Sequence, residues 1–316
     1  MKRITNLERP TRRKFIKTAA AMGSAVYFSP HLAVLADTQA KANIFCQYYP
    51  WFTFFKREGI DWHADLSYSI KTFASVGFGG FEPTFESVDD VENLKPLLKK
   101  YQLPIHSFYV NSILHDPEQV DASMSQVIKI ANAAKATGVK ILVTNPSPIQ
   151  WGGDENKTDN QLLIQAKALN ELGEKLRKLG LTLAYHNHDA EMRNSAREFH
   201  HMMMGTDPEN VRLSLDAHWI YRGSGNSQVA LFDIVNLYLD RIVELHLRQS
   251  KGGIWTEEFC QGDIDYHRLA EVLSVNHKKP HLVLEQAVEE GSPHTMNGVE
   301  AHRLGLAYAK QVFAEL

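Results

Sequence analysis

Short apolar segments alternate with longer amphipathic segments along most of the chain, and this alternation limits the possible folds more than any other feature. The short segments predict buried strands at 42–48, 77–82, 104–110, 139–144, 181–186, 211–216, 242–247 and 281–285. The longer segments repeat apolar residues at helical spacing, at 91–101, 122–137, 161–179, 227–239, 266–275 and 299–313. Eight strand–helix units in about 275 residues predict a single α/β domain, a closed (β/α)8 TIM barrel.

Polar side chains stand at or near the carboxyl ends of most predicted strands. Barrel enzymes of this kind carry their catalytic residues at those ends, where the strand-to-helix loops meet. The pattern therefore predicts one site at the mouth of the barrel. The residues in question are Glu82, His106, Asn145, His186, Asp216, His246 and Glu285.

The last four of these residues form a donor set suited to a metal ion. Two imidazoles and two carboxylates are borderline N/O ligands that suit Zn²⁺, Mn²⁺, Co²⁺ or Fe²⁺. Alternation along the fifth strand puts His186 and His188 on one face, so His188 competes with His186 as the ligand. Three of the four also have structural alternatives: Asp216 as a loop cap, Glu285 as an ion pair with Arg248, and His246 as a core histidine.

Aromatic and polar residues around these strand ends are candidate substrate contacts. A dense aromatic stretch that includes Trp51 follows the first strand, and it predicts either a sugar-binding surface or a lid. His218 has the strand parity of Asp216, and it could contact substrate, contact the metal or be an ordinary loop histidine. The predicted substrate-binding residues are Glu82, His106, Asn145, His218, Trp219 and Trp51.

The first 36 residues differ in charge from the remainder of the chain. They hold seven basic residues and one acid, so the remainder carries about −9 although the whole chain carries −3. Paired arginines at Arg12 and Arg13, a short apolar run and Val34-Leu35-Ala36 resemble a twin-arginine export signal. We expect residues 1–36 to be a signal peptide that engages the twin-arginine translocase, and 37–316 to be a periplasmic barrel; a disordered basic tail is the alternative.

Composition and absent motifs exclude several functions. The acidic body is a poor partner for nucleic acid, and the apolar run near the start is too short for a stable membrane span. The sequence has no phosphate-binding loop, dinucleotide fingerprint or serine-nucleophile elbow. Cys46 and Cys260 are expected to be free thiols, although an oxidising compartment would permit a disulfide bond between them. The sequence is compatible with a monomer or a homo-oligomer.

Five motifs together resemble the sugar phosphate isomerase/epimerase superfamily, the xylose isomerase-like barrels: YHNHDAEM, LSLDAHW, ELHLRQ, QGDIDY and VLEQ. The resemblance implies one divalent ion (Mn²⁺, Mg²⁺, Co²⁺ or Zn²⁺) held at the ends of strands five to eight. By this resemblance Asp216, His246 and Glu285 match the ligands of the last three strands. Strand five has His186 where many members have Glu, and the Tyr-His-Asn-His version marks a branch of the superfamily.

This departure bears on the reaction. Epimerases of the superfamily use two opposed Glu residues, and Glu285 has no strand-five partner of that kind. The predicted catalytic residues are Glu285, His188 and Arg248, the last standing where many relatives have Lys. A single carboxylate favours isomerisation, dehydration or β-elimination of a keto-sugar or 3-keto-glycoside over symmetric epimerisation. Alternatives are a non-catalytic sugar-binding protein on a degenerate barrel and an endonuclease-IV-like metal hydrolase.

Overall fold

The computed structural model describes residues 43–316, which form a barrel of eight parallel strands. Around the sheet the strand order is β2-β1-β8-β7-β6-β5-β4-β3. Strands β2 and β3 approach each other at an isolated bridge between Thr84 and Tyr109, which nearly closes the barrel. The strands are β1 Ile44–Gln47, β2 Gly80–Glu82, β3 Ser107–Tyr109, β4 Ile141–Thr144, β5 Thr182–His186, β6 Val211–Asp216, β7 Ile242–Leu247 and β8 His281–Leu284.

The eight predicted strands and the TIM-barrel fold are confirmed. Side chains on both faces of these strands are largely buried, since one face lines the barrel and the other packs under helices. This explains why the strands are nearly continuous apolar runs in the sequence. The predicted signal peptide at 1–36 lies outside the described residues.

Helices follow the strands and cover the outside of the barrel. All six helices predicted above are present, and the structure adds α1, α2 and α7 as well as α6, of which the sequence indicates only the helix-like part 199–204. Capping boxes at Ser87 with Asp90 and at Thr158 with Gln161 begin α3 and α5. The helices are α1 Tyr48–Arg57, α2 Leu66–Ala74, α3 Val88–Tyr101, α4 Val120–Ala134, α5 Asp159–Lys178, α6 Arg193–Met204, α7 Ala217–Gly223, α8 Gln228–Tyr238, α9 Tyr266–Val275 and α10 Gly298–Val312.

The main hydrophobic core lies between the sheet and the helices, whereas the barrel interior is partly polar. A small apolar cluster that includes Tyr109, Ile141, Val143 and Ala184 fills part of the interior. At the amino-terminal end of the barrel, the rings of His106 and His281 lie 4.5 Å apart between centroids. This end is closed by side chains, so the opposite end is the open one.

Two further predictions concern cysteines and membranes. Cys46 is buried in β1, Cys260 is half-buried in a late loop, and the two thiols are free. Within residues 43–316, no helix has the length and apolar character that a membrane span requires.

Candidate active site and metal centre

Four side chains from adjacent strands converge at the mouth of the barrel. They are His186 at the end of β5, Asp216 at the end of β6, His246 in β7, and Glu285 directly after β8. One ligand atom from each lies within 4.8 Å of the corresponding atoms of the other three, and all four residues are buried. The parallel register brings them together, since Asp216 pairs with His246 across β6 and β7. The structure therefore unites all four predicted metal ligands.

The cluster has buried polar atoms without a protein partner, which is what a cation site requires. Neither ring nitrogen of His186 has a hydrogen-bond partner among the described residues, and Asp216 Oδ2 also has none there. The other oxygen, Asp216 Oδ1, accepts from the Trp219 backbone N–H at 2.8 Å and caps α7. Buried polar groups normally have hydrogen-bond partners, so these unpartnered nitrogen and oxygen atoms fit the ligand set of a divalent ion.

Glu285 links the cluster to Arg248. Its Oε2 lies 3.0 Å from His246 Nδ1 and 3.1 Å from an Arg248 terminal nitrogen. Burial alone raises the pKa of Glu285, but the positive charges of Arg248 and His246 outweigh it, so the pKa is lowered overall. Oε1 makes no hydrogen bond within residues 43–316. The residue therefore presents one engaged oxygen and one free oxygen, both in an ionised carboxylate.

Two further carboxylates, Glu82 and Glu244, lie inside the barrel against His246. His246 Nε2 is 3.1 Å from Glu82 Oε1 and 3.4 Å from Glu244 Oε1. Burial lowers the pKa of His246, but the charges of Glu82 and Glu285 raise it well above its ordinary value. Burial and the neighbouring Glu244 raise the pKa of Glu82 to about 7. The interior thus holds more carboxylates than cations, and it attracts positive charge.

Glu82 was predicted to contact the substrate at the mouth, but it lies inside the barrel. Its side chain is fully buried and bonded to Ser107, inside the barrel and against the candidate ligand His246. Glu244, which the sequence interpretation did not single out, accepts from Ser214 at 2.9 Å. An acid inside an otherwise apolar strand, at the parity of His246, was the available signal.

The mouth opens into a cavity of about 660 Å³. His188 stands at its edge, and its ring centroid lies 4.9 Å from that of His186, so the two competing candidates for the strand-five ligand are adjacent. Burial lowers the pKa of His188 to about 3, which keeps its imidazole neutral. The cavity is lined by aromatic and polar side chains that include Tyr49, Tyr109, Trp151, His188, Trp219, Arg248 and Glu285.

Arg248 is held in place by aromatic rings. Its guanidinium carbon lies 4.2 Å from the ring centroid of Trp255 and 5.1 Å from that of Trp219. Trp255 belongs to a short hairpin, Ser250–Lys251 with Ile254–Trp255, which follows β7. One terminal nitrogen of Arg248 has no hydrogen-bond partner in the described part of the chain. That nitrogen is available to a ligand in the mouth.

Two predicted substrate contacts have other surroundings. Asn145 is buried, and its amide donates to the His186 carbonyl at 3.0 Å and to Glu191 at 3.2 Å, so it fixes the end of β5. His218 is buried in α7, with its ring centroid 5.9 Å from that of Trp255. It is absent from the described residues that line the mouth cavity, whereas Trp219 is among them.

Two predictions are corrected by the structure. His106 precedes β3 and packs against His281 at the amino-terminal end, so it lies at the opposite end of the barrel from the mouth. Trp51 lies in a helix, not a loop, and its ring stacks on His302 with centroids 4.3 Å apart. Helical spacing turns Trp51 toward α10, away from the mouth.

Residues that the sequence interpretation missed complete the mouth. Tyr109 lies at the carboxyl end of β3 with its ring centroid 5.4 Å from that of His186. Trp151 follows β4 and contacts His188, with 5.1 Å between centroids. Tyr109 was in a predicted strand and could have been found from its position. Trp151 lies in a loop, where no periodicity indicates direction.

Comparisons with known proteins agree with this architecture. An inosose dehydratase of Clostridium botulinum is 25% identical over 272 residues, which cover 77% of this chain and 88% of that protein. A sugar phosphate isomerase/epimerase of Parabacteroides distasonis superposes with a TM-score of 0.67 at 16% identity, covering 89% of this chain and 98% of the other. A 3-keto-D-glucoside 4-epimerase of E. coli gives 0.62 at 18% identity, with 86% and 100% covered.

A family model described as the xylose isomerase-like TIM barrel matches residues 70–311. That range contains seven of the eight strands and all four residues of the mouth cluster. The chain belongs to the xylose isomerase-like TIM barrel family.

Proposed function

We propose that this protein is a metal-dependent enzyme that removes the proton beside the carbonyl of a keto-sugar, keto-cyclitol or 3-keto-glycoside. The observation that carries the proposal is the buried cluster of His186, Asp216, His246 and Glu285 at the open end of the barrel. These residues would hold one divalent ion, Mn²⁺, Zn²⁺, Co²⁺ or Mg²⁺. Sugar-modifying enzymes among its relatives support a reaction of the isomerase, epimerase or lyase type.

The side chains of the mouth have complementary roles in this proposal. Glu285 Oε1 accepts the proton from the carbon beside the carbonyl, while Arg248 holds the other oxygen in place. A bound divalent ion supplies the electrophile that polarises the carbonyl. The free Arg248 nitrogen and the ring of Trp219 bind and orient the substrate.

Loss of a β-substituent is the favoured second step. Symmetric epimerisation needs a second base on the opposite face of the sugar, and the fifth strand ends in His186, followed by the neutral His188 in the mouth, where the epimerases have Glu. A neutral imidazole can donate its N–H to a departing hydroxyl or alkoxide. A dehydratase among the relatives is consistent with this outcome.

The test uses the protein loaded separately with Mn²⁺, Co²⁺, Zn²⁺ and Mg²⁺ and incubated in D₂O. Its substrates are a keto-cyclitol and a 3-keto-glucoside, followed by NMR and mass spectrometry. We expect loss of the β-substituent, or deuterium at the carbon beside the carbonyl, with at least one ion. Binding of both compounds without exchange or elimination would overturn the proposal and favour the sugar-binding alternative. Cleavage of abasic DNA would favour the hydrolase alternative.

Export through the twin-arginine translocase to the periplasm belongs to the same proposal. It is supported by Arg12 and Arg13, the short apolar run and the small residues before 37. A reporter fused to residues 1–36 should reach the periplasm, and the Arg12→Lys, Arg13→Lys pair should retain it in the cytoplasm. Export that is insensitive to this double substitution would contradict the assignment.

A further inference from the structure

The mouth cavity is larger than a single sugar ring requires. Its volume of about 660 Å³ lies within the range of pockets that enclose drug-sized ligands, roughly 300–1,000 Å³. Of the four candidate ligands, Glu285 is the one that lines this cavity within the described residues, and Tyr48, His63, Thr84 and Glu86 line it as well. A substrate at Glu285 therefore leaves space toward these four residues.

A second cavity of about 590 Å³, here called the side cleft, adjoins the mouth. The two cavities share Tyr48, His63, Thr84 and Glu86 as a common wall. This wall reaches the protein surface, since His63 and Glu86 are exposed and Tyr48 and Thr84 are half-buried. The Tyr48 hydroxyl and His63 Nε2 lie 2.9 Å apart, which fixes the two rings at the boundary. A ligand can extend from the mouth over this boundary.

The side cleft is apolar below and acidic at its rim. Its lower part is formed by residues of β2, α2, α3 and the segments before α2 and after β2, and the main contributors are Trp62, Leu66, Phe81, Phe85, Leu94 and Leu97. Its rim carries Glu86, Asp90 and Asn93. None of the described residues that line it is Lys or Arg. This chemistry suits a neutral, largely apolar group and disfavours a phosphate or carboxylate.

We infer that the side cleft binds the aglycone of a 3-keto-glycoside whose sugar ring lies in the mouth. The inference rests on the proposed function and narrows its substrate class to glycosides with a neutral, apolar aglycone. The reaction is then a β-elimination across C1 and C2 of the sugar. The C2–H bond breaks as Glu285 takes the proton, a C1–C2 double bond forms, and the C1–O bond breaks. The aglycone oxygen takes a proton and leaves as a neutral alcohol, with no change in overall oxidation state.

The experiment compares two 3-keto-glucosides that differ only in a terminal phenyl group on the aglycone. Propyl and 3-phenylpropyl aglycones leave as primary alcohols of similar acidity, so a difference in kcat/KM reports binding rather than leaving-group chemistry. We expect kcat/KM to be about tenfold or more higher for 3-phenylpropyl, because its ring is buried in the side cleft. Leu97→Trp should fill the cleft and bring the ratio to about one.

The matched control is Leu163→Trp, the same substitution at an exposed leucine of α5. This variant should keep the wild-type ratio. Equal kcat/KM for the two glucosides in the wild-type protein overturns the aglycone site while leaving the proposed function intact. If neither glucoside reacts while a keto-cyclitol does, the proposed function stands and the aglycone site is overturned. If none of the three reacts, the proposed function fails, and calorimetric binding of the two unoxidised glucosides decides the aglycone site separately. Equal affinity in that measurement overturns it.

Discussion

The barrel mouth and the seam between α1 and α10 both bury histidine rings beside aromatic rings, but they differ in charge. In the seam, defined here by Trp51, Phe54, Gly298 and His302, the His302 ring stacks on Trp51 and its Nδ1 lies 2.6 Å from the Gly298 carbonyl. In the mouth, His246 has carboxylate oxygens next to both ring nitrogens. Burial of a histidine alone therefore does not identify a site, whereas burial among carboxylates does.

The pKa values express the same contrast. In the seam, burial lowers the pKa of His302 to about 4, so this histidine stays neutral. In the mouth, Glu82 and Glu285 outweigh burial and raise the pKa of His246. The seam disfavours positive charge on its histidine, whereas the carboxylates around His246 favour it there. Substitutions in each region should consequently affect different properties of the protein.

The largest expected effect is in the mouth, for Asp216→Asn. The amide can still cap α7, but it removes one of the two anionic ligands, so we expect kcat/KM on a substrate found in the assay proposed above to fall at least ~100-fold and metal content to drop. Elemental analysis and steady-state kinetics measure both. Asp65→Asn is the matched control, because Asp65 caps α2 in the same way and is exposed. Full metal occupancy in Asp216→Asn would contradict the ligand assignment.

In the seam, His302→Ala should destabilise the fold without affecting metal binding. Loss of the ring leaves a void beside Trp51 and Phe54, and we expect the free energy of unfolding to fall by about 2–4 kcal/mol. Urea unfolding measures this change. His294→Ala, at an exposed position, should leave stability nearly unchanged. A loss of bound metal in His302→Ala would erase the contrast between the two regions.

Acid should destabilise the protein through His302. Above pH 6.5 the His302 ring is neutral in both the folded and the unfolded protein. Between pH 6.5 and about 4 the ring is protonated in the unfolded chain but stays neutral in the folded protein. Stability is therefore lost as the pH falls through this window, by about 3 kcal/mol in all. Urea unfolding of the wild type and His302→Phe between pH 7 and 4 isolates this contribution as a difference. Parallel stability curves would show that His302 does not titrate in this way.

The smallest effect is expected at the closed end of the barrel. His106→Gln should change kcat/KM by less than about twofold, since the side chain packs against His281 away from the mouth. The same kinetic assay tests this expectation. A loss comparable to that of Asp216→Asn would restore His106 to the site and refute its placement.

The sequence was sufficient for the strands and for the four candidate ligands because both depend on local pattern. Each ligand candidate lies within one residue of the end of an apolar run, and parallel strands bring such ends to one edge. His106 was misplaced because β3 begins only at Ser107, so a residue inside the predicted strand 104–110 falls before the real one. Strand limits of this kind depend on tertiary pairing, which composition does not show.

Trp51 was misplaced for a different reason. The aromatic stretch after β1 was interpreted as a loop, but α1 begins directly at Tyr48. Helical geometry then sends Tyr49 to the mouth and Trp51 to α10, a separation that no loop interpretation can give. The approach of Glu82 in β2 to His246 in β7 likewise depends on a contact between distant strands.

The two oxygens of the Asp216 carboxylate have different surroundings, and this difference bears on which ion the site selects. Because Oδ1 accepts from the Trp219 N–H and Oδ2 has no partner among the described residues, Oδ2 is the oxygen that the side chain presents first to an ion. Calcium favours six to eight oxygen ligands and often takes both oxygens of a carboxylate, whereas two imidazoles and a monodentate carboxylate satisfy a smaller ion. The cap that begins α7 therefore makes the site a poor one for calcium.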